Sequence, residues 1–273
     1  MIVFPNCKIN LGLHILRKRA DGFHDLETVF YPIALQDGLE IIQNKTSSTS
    51  NIEFTASGLK IDSSIEENIC LKAYRLVKKD FPDLPSIKIH LHKVIPSGAG
   101  LGGGSSDGAF TLTLLNKKFN LGLTEDQLID YALQLGSDCP FFIKNKPCYG
   151  TGRGEQLEET DLNLSNYKIV LINPGIHVHT GKAFSKIIPS DQRPSIKEII
   201  KKPIEEWKDF LKNDFEETVF SEHPEIKIIK ENSYRQGAVY SSMSGSGSTV
   251  YALFEMNAQL QFDFPPHYFV KEI

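Results

Sequence analysis

One stretch, IPSGAGLGGGSSDGA (Ile95–Ala109), carries the residue types suited to holding an anion. Before it, Ile87, Ile89 and Leu91 alternate with Lys88, His90 and His92, a period of two that predicts a strand with one buried face. The alternation slips near Lys93, which places Val94 in the buried set. After it, Ala109, Leu112, Leu115 and Phe119 recur at helical spacing, and Ser105 and Ser106 stand at the expected helix start. A glycine loop between a strand and a helix N-terminus lets the backbone approach an anion closely. The unpaired helix N–H groups and the helix dipole favour negative charge there. The expected ligand is a phosphate chain.

Two common phosphate motifs fail on this stretch. Gly98-x-Gly100-x-x-Gly103 matches the dinucleotide fingerprint, which also needs an acidic residue about 20 positions on that ends a second strand. Glu125 and Asp126 stand there instead behind Thr124, which with Gln127 predicts a capping box and hence a helix. The Walker A pattern fails because no Gly-Lys-Ser/Thr closes the loop. A flexible linker is excluded by the framing of Pro96, a strand and an apolar helix.

Other residues able to do chemistry are scattered. In CKINLGLHIL, Lys8 and Asn10 lie two apart and share one face of a strand, where an inward Lys is costly unless paired or working. Taken alone they read as the wet face of an edge strand. The turn Asp21-Gly22 precedes Phe23 and His24, and an aromatic at that exit reads as a core plug. Asp138 follows the helix stop Gly136 and reads as a cap or turn residue, with Cys139 as a small buried apolar side chain beside it. His177 and His179 lack a third ligand and read as surface histidines.

These residues need elements to position them. Strands are expected over residues 2–16, over LETVFYPIAL, over 39–43 and 51–57 around the polar tip NKTSSTSN, and in an apolar run after Pro140. YKIVLINPG (167–175) reads as a strand buried on both sides. Asn68 caps a helix with apolar Ile69, Ala73, Leu76 and Val77 that ends near Pro82. The helix begun at Thr124 buries Leu128, Ala132 and Leu135 and stops at Gly136 in a left-handed cap. YGTGRGEQLEET reads as a connector and lobe boundary, and a helix starts at Thr180. Residues 195–236 read as helical, with Pro203 at a start, Gly237 as a stop, and Trp207 and Phe210 in the core. A second glycine loop, MSGSGSTVYALF, joins strands AVYSSM and TVYALF, and the C-terminal QFDFPPHYFVKEI gives a last edge strand.

The whole chain narrows the class. Its 273 residues suffice for one large or two moderate domains. With 23% charged residues and a net charge of −4, it offers no basic field for nucleic acid. The lysine pairs 78–79, 117–118 and 201–202 read as solvated helix faces or ends. Four cysteines without a CxxC pair suggest a reduced, cytoplasmic setting. No secretory leader pattern and no run of membrane-spanning length is expected.

Together these motifs resemble the GHMP small-molecule kinases. The carriers are Pro96-Ser97-Gly98-Ala99-Gly100-Leu101-Gly102-Gly103-Gly104-Ser105-Ser106 and the late loop Ser244-Gly245-Ser246-Gly247-Ser248. Lys8-Ile9-Asn10-Leu11, Ala20-Asp21-Gly22-Phe23-His24 and Leu135-Gly136-Ser137-Asp138-Cys139-Pro140-Phe141-Phe142 add a resemblance to the branch whose alcohol carries a cytidine diphosphate on methylerythritol. The resemblance runs from residue 8 to about 248. It implies an α+β, two-lobed fold. The N-terminal lobe, 1–155, would be like the second domain of ribosomal protein S5 and bind nucleotide. The C-terminal lobe, 156–273, would be ferredoxin-like and bind substrate.

The resemblance also implies roles. Asp138 matches the catalytic Asp, Lys8 the lysine that accompanies it, and Asn10 a substrate-hydroxyl contact. Phe23 and His24 match the positions that stack on and hydrogen-bond cytosine, with Phe184 opposite and Thr180 nearby. Asn68 and Lys93 match positions lining an adenine pocket. ATP would lie on the central loop with Mg²⁺ bridging its phosphates and Ser106 as a hydroxyl ligand of the metal. Two departures stand out: Phe23 where Tyr is usual, and Gly108 where Ala is common, which weakens the helix start by about 0.5–1 kcal/mol. The rival readings are a GHMP kinase for homoserine, mevalonate or a sugar, a non-catalytic nucleotide-binding module, and an RNA-binding protein. The DGFH turn disfavours the first, the Lys8 and Asp138 markers the second, and the acidic balance the third.

Overall fold

The computed structural model describes residues 1–45, 52–61 and 64–273. The polar tip expected around residues 44–51 falls mostly outside them. The chain forms two compact units that interleave in sequence: residues 1–7, 34–97 and 102–146, and residues 8–33, 98–101 and 147–273.

The first unit is built on one sheet, order β1-β4-β6-β5, from β1 (Ile2–Val3), β4 (Gly38–Gln43), β5 (Ile52–Gly58) and β6 (Ile87–Lys93). β4 runs antiparallel to β6, while β5 runs parallel to it, with Ile89 opposite Phe54. Four helices join this unit: α1 (Ile69–Asp80), α2 (Gly103–Phe119), α3 (Glu125–Leu135) and α4 (Cys139–Lys144). Their apolar faces meet the sheet in one core that includes Leu39, Ile41, Ile87, Ile89, Leu91, Tyr74, Val77, Leu112 and Leu115. Asn68 caps α1, its Oδ1 accepting from Cys70 N at 2.9 Å, and Thr124 and Gln127 form the expected reciprocal box on α3.

Three expectations fail in this unit. Lys93, not Val94, continues the buried alternation of β6, because two carboxylates neutralise it there. Gly136 is extended (φ 168°), so α3 ends without a left-handed cap. The apolar run after Pro140 is the short helix α4: Pro140 sits in its first turn, where no N–H is needed, and Asn145 closes it in the left-handed region. Gly108 also has a packing reason. A Cβ there would sit 2.8 Å from Ile69 Cγ1, so α2 gains close contact with α1 in exchange for helix propensity.

The second unit holds two sheets. One has order β2-β3-β7-β8, from β2 (Asn6–Lys18), β3 (His24–Gln36), β7 (Cys148–Thr151) and β8 (Gln156–Glu159), the ends of β2 and β3 belonging to the first unit. The stretch read as a connector is thus the β7–β8 hairpin, paired to β3 with Val29 opposite Tyr149. The other has order β10-β11-β9-β12, from β9 (Tyr167–Asn173), β10 (Tyr240–Met243), β11 (Val250–Glu255) and the edge strand β12 (Phe269–Glu272). The helical stretch divides into α6 (Ile196–Ile199), α7 (Ile204–Phe210), α8 (Phe215–Glu222) and α9 (Pro224–Arg235), after α5 (Thr180–Ser185). Trp207 is fully buried, whereas Phe210 is 44% exposed and lies under the Lys202 ammonium at 4.5 Å, which corrects its placement in the core. Val170, Ile172, Val250, Ala252 and Phe254 pack with Phe215, Ile226 and Ile229 of α8 and α9.

Candidate functional site

The central loop has the form an anion cradle needs. Gly98, Gly100 and Gly102 all take left-handed backbone angles, and Gly102 is the N-cap of the 17-residue α2. No side chain caps that end, so the first N–H groups of α2 stay available to a ligand. Gly103 and Gly104 differ in what they face. A Cβ on Gly103 would lie 2.8 Å from Ile95 Cγ2, while a Cβ on Gly104 would meet nothing within 4 Å. Gly103 is therefore a packing glycine, and Gly104 is the one whose bare Cα faces open space.

The loop tip, Gly98–Leu101, clusters with the second unit. Lys8 N donates to Leu101 O at 2.9 Å, and Thr249 N donates to Ala99 O at 3.1 Å. Ser244 Oγ donates to Gly100 O at 2.8 Å. A Cβ on Gly100 would lie 2.0 Å from Ser244 O, so only glycine permits the two glycine loops to touch. The Lys8 side chain is 3% exposed. Its Nζ donates to Asn10 Oδ1 at 2.5 Å and Gly100 O at 3.2 Å, and it lies 5.5 Å from the Phe30 ring centre. Asn10 Nδ2 donates to Thr28 Oγ1 at 3.1 Å. Lys8 and Asn10 share a face as expected, but that face is buried and not the wet side of an edge strand.

Asp138 stands at the N-cap of α4 without its side chain capping that helix, which removes the simplest structural reason for a carboxylate there. Cys139 beside it is fully buried, and burial pushes its thiol up to about 12, so it is no nucleophile. Ser106 is fully buried in the first turns of α2, and its Oγ has no partner. An orphaned hydroxyl in the first turn of a helix whose N-terminus carries no side-chain cap fits a Mg²⁺ ligand. Among the described residues, no group of three His, Cys, Asp or Glu could hold a metal by itself.

In the second unit the turn at Asp21 is tied down twice. Arg19 N donates to Phe23 O at 2.8 Å, and Phe23 N donates to Asp21 Oδ1 at 3.1 Å. Phe23 is 53% exposed, not a core plug, and the Arg153 guanidinium lies 4.9 Å from its ring centre. His24 stacks on Phe184 with ring centres 5.1 Å apart and planes 17° off parallel. Phe215 meets Phe184 edge-on at 4.8 Å and fixes its plane. Burial, and then the charge of Lys18, lower the His24 pKa, so its imidazole is neutral at physiological pH. Thr180 Oγ1 lies 2.9 Å from Ser246 Oγ of the late glycine loop. His177 and His179 are exposed, as expected.

A cavity of about 300 Å³ in the first unit is lined by Phe54, Gly58, Leu59, Ile61, Ile65 and Asn68 among others. Asn68 reaches it from the start of α1. Lys93 contributes backbone nearby, its carbonyl accepting from Leu59 N at 2.8 Å, while its side chain turns into the core toward Asp37 and Asp107. Sequence reasoning missed those two carboxylates and Arg153. The signal for the carboxylates was present, because a Lys in the buried phase of a strand demands a counter-charge.

The chain matches the family described as GHMP kinases N terminal domain over residues 68–146 and GHMP kinases C terminal over residues 195–265. It is 54% identical to the 4-diphosphocytidyl-2-C-methyl-D-erythritol kinase of Bacteroides thetaiotaomicron over 262 residues, covering 95% of this chain and 94% of the relative. The enzyme of the same name from Bacteroides fragilis is 51% identical over 266 residues, with 97% and 96% covered. A crystal structure of 4-(cytidine 5'-diphospho)-2C-methyl-D-erythritol kinase superposes with a TM-score of 0.78 at 30% identity, covering 93% of this chain and 90% of that one. The fold is the two-lobed α+β fold of that family, and the chain belongs to the GHMP kinases, in the family of the 4-diphosphocytidyl-2-C-methyl-D-erythritol kinases.

Proposed function

We propose that this chain transfers the γ-phosphoryl group of ATP to the 2-hydroxyl of 4-diphosphocytidyl-2-C-methyl-D-erythritol, in the methylerythritol phosphate route to isoprenoids. The observation that carries the reading is identity above one half, over nearly the full chain, to kinases named for that alcohol. The open N-terminus of α2 and the exposed Phe23 beside a neutral His24 support it from the side of the geometry.

Phosphoryl transfer through a loose, charged transition state asks for positioning and charge neutralisation more than for covalent help. The loop Pro96–Ser106 would hold the ATP phosphates on backbone N–H groups, with the cavity at Asn68 and the Lys93 backbone taking the adenine. Mg²⁺ bound with the nucleotide supplies further neutralisation, with Ser106 Oγ as a protein ligand. Asp138 would accept the alcohol proton, and the buried Lys8 ammonium would steady charge on the transferred group. Asn10 would orient the acceptor hydroxyl. Phe23 would stack on the cytosine, with His24 donating or accepting at its edge, Phe184 as the opposite wall and Thr180 near the sugar.

The two family matches fall one on each side of residue 155, which supports a division into segments 1–155 and 156–273; the nucleotide loop would lie in the first, and the substrate would draw on Thr180 and Phe184 of the second together with Asn10, Phe23 and His24 of the first. We place the enzyme in the cytoplasm as a monomer or weak homodimer, with no nucleic-acid or membrane partner. Four buried cysteines and the acidic balance support a reduced setting without nucleic acid, and among the described residues no helix is long and apolar enough to cross a membrane. A coupled ATP-turnover assay with the cytidyl alcohol, homoserine, mevalonate and hexoses tests the reading. Turnover with the cytidyl alcohol alone is expected; activity confined to another alcohol would transfer the function to that branch, and no turnover with any would leave a binding module.

A further inference from the structure

No step above uses the turn of the β7–β8 hairpin, Thr151-Gly152-Arg153-Gly154-Glu155. Gly152 (φ 69°) and Gly154 (φ 104°) are left-handed there, and Gly154 N donates to Thr151 O at 3.0 Å. Leu26 N donates to Gly152 O at 2.8 Å, which ties the turn to β3 two residues past His24. The Glu155 carboxylate folds back over the turn. Its Oε2 accepts from Arg153 N at 2.6 Å, and its Oε1 lies 3.8 Å from Arg153 Nε. Arg153 is thereby presented to the tip of the neighbouring hairpin, where its guanidinium lies 4.9 Å from the centre of the Phe23 ring.

Phe23 is a ring in need of such a hold. It stands more than half exposed on a turn, and among the described residues no other ring or cation contacts it. Its backbone is anchored on Asp21 Oδ1, but its side chain keeps a freedom that stacking on a base must remove, and that ordering costs affinity. A tyrosine could be fixed by its hydroxyl, whereas a phenylalanine offers only its faces and edge. Phe184 has Phe215 edge-on to fix its plane; for Phe23 the guanidinium takes that part, covering one face and leaving the other to solvent. Hydrogen bonds from Arg19 and from Phe23 N hold the Asp21 carboxyl below its usual range, and the charge of Arg153 adds to them, so the cation is drawn to the turn as well as to the ring.

We propose that Arg153 is a positioning residue for the pyrimidine of the substrate: its guanidinium backs the Phe23 ring and sets the plane on which the base stacks. The inference deepens the reading above and rests on Phe23 being the stacking face for cytosine. The order of contacts is Glu155, Arg153, Phe23, base. Glu155 fixes the turn and the cation, the cation fixes the ring, and the ring meets the base with its open face. Because the stack is held alike before and during phosphoryl transfer, the contribution of Arg153 falls on substrate binding and not on the chemical step.

The test measures competitive inhibition by cytidine, with KM and kcat for the cytidyl alcohol, in wild type, Arg153→Met, Phe23→Ala and the double variant. Cytidine carries no phosphate, so it reads the base site alone. Arg153→Met should raise the cytidine Ki and the KM together by about two- to fivefold, the size of one exposed cation–π contact, with kcat unchanged. In the Phe23→Ala background the same substitution should change neither value, because the ring through which it acts is gone. Arg153→Lys, which keeps the charge, should recover part of the loss. A raised KM with an unchanged cytidine Ki would mean that Arg153 meets the diphosphate directly. An equal loss in the Phe23→Ala background would mean that it acts by another route, and a lowered Ki that it competes with the base for the ring. Each of these results would overturn the proposal. Should Arg153→Met fail to fold, Arg153→Gln removes the same charge and is read in the same way. If cytidine does not inhibit wild type, the cytosine reading itself falls; if it inhibits wild type and Arg153→Met equally, only the role of Arg153 falls.

Discussion

Lys8 is an expensive residue to bury, and its ammonium is held by Asn10, a loop carbonyl and the face of Phe30. An apolar replacement of similar length removes a buried charge but leaves Asn10 Oδ1 and the Gly100 carbonyl without that donor, a loss of about 1–3 kcal/mol. We expect Lys8→Met to fold with a modestly lowered melting temperature while turnover falls about 10²–10³-fold, the range for losing one stabiliser of transition-state charge. Asp138→Asn should likewise fold and bind ATP, with kcat down about 10²–10⁴-fold. Turnover near the wild-type rate in either protein, measured in the coupled assay with the cytidyl alcohol, would remove that residue from the mechanism.

At the scale of elements, the two glycines opening α2 make opposite predictions. Gly104→Val adds its side chain to open space on a helical residue, where any residue but proline is a better helix former than glycine. The variant should melt no lower than wild type yet lose MgATP affinity by at least tenfold, because the added side chain takes the room left for phosphate. Undiminished affinity by calorimetry would exclude a phosphate from that space. This distinction between Gly103 and Gly104 was not legible in the sequence, which showed a glycine run but not which Cα faces Ile95. Other elements were legible for physical reasons. The strand and helix around the loop follow from clear periods, and Asn68 and the Thr124–Gln127 box follow from short-range capping chemistry. α4 was misread as a strand because six residues, four of them buried, carry no period to read. Lys8 and Asn10 share a face by alternation alone, but that this face is inward depends on the late glycine loop, 234 residues further on, where Ser244 Oγ accepts from Asn10 N.

Across the whole molecule, the second unit relies on Glu27 of β3 to join segments far apart in sequence. Its carboxylate accepts from Tyr149, Ser195 Oγ and Ile196 N and pairs with His14. Burial alone would raise its pKa, yet these bonds outweigh it and bring the carboxyl down to about 2. A depressed carboxylate stabilises the fold above its unfolded pKa, and that stability is lost as pH falls toward the folded value. Glu27→Gln should therefore lower stability at pH 7 by about 1–3 kcal/mol, read from urea midpoints. The gap to wild type should narrow between pH 4.5 and about 2. A gap that stays constant with pH would show that Glu27 acts by shape and not by charge.

The same unit carries the residues that would choose the substrate. Base stacking on an aromatic is worth roughly 1–3 kcal/mol, and a site that hydrogen-bonds one base edge rejects an analogue whose edge does not match. The decisive measurement is kcat/KM for the cytidyl alcohol, its uridyl analogue and methylerythritol phosphate lacking the nucleotide, with wild type and Phe23→Ala. Wild type should favour the cytidyl alcohol strongly over the uridyl one and barely turn over the third, while Phe23→Ala should raise KM for the cytidyl alcohol and leave kcat nearly unchanged. Equal kcat/KM for the cytidyl and uridyl alcohols in the wild-type enzyme would contradict the account.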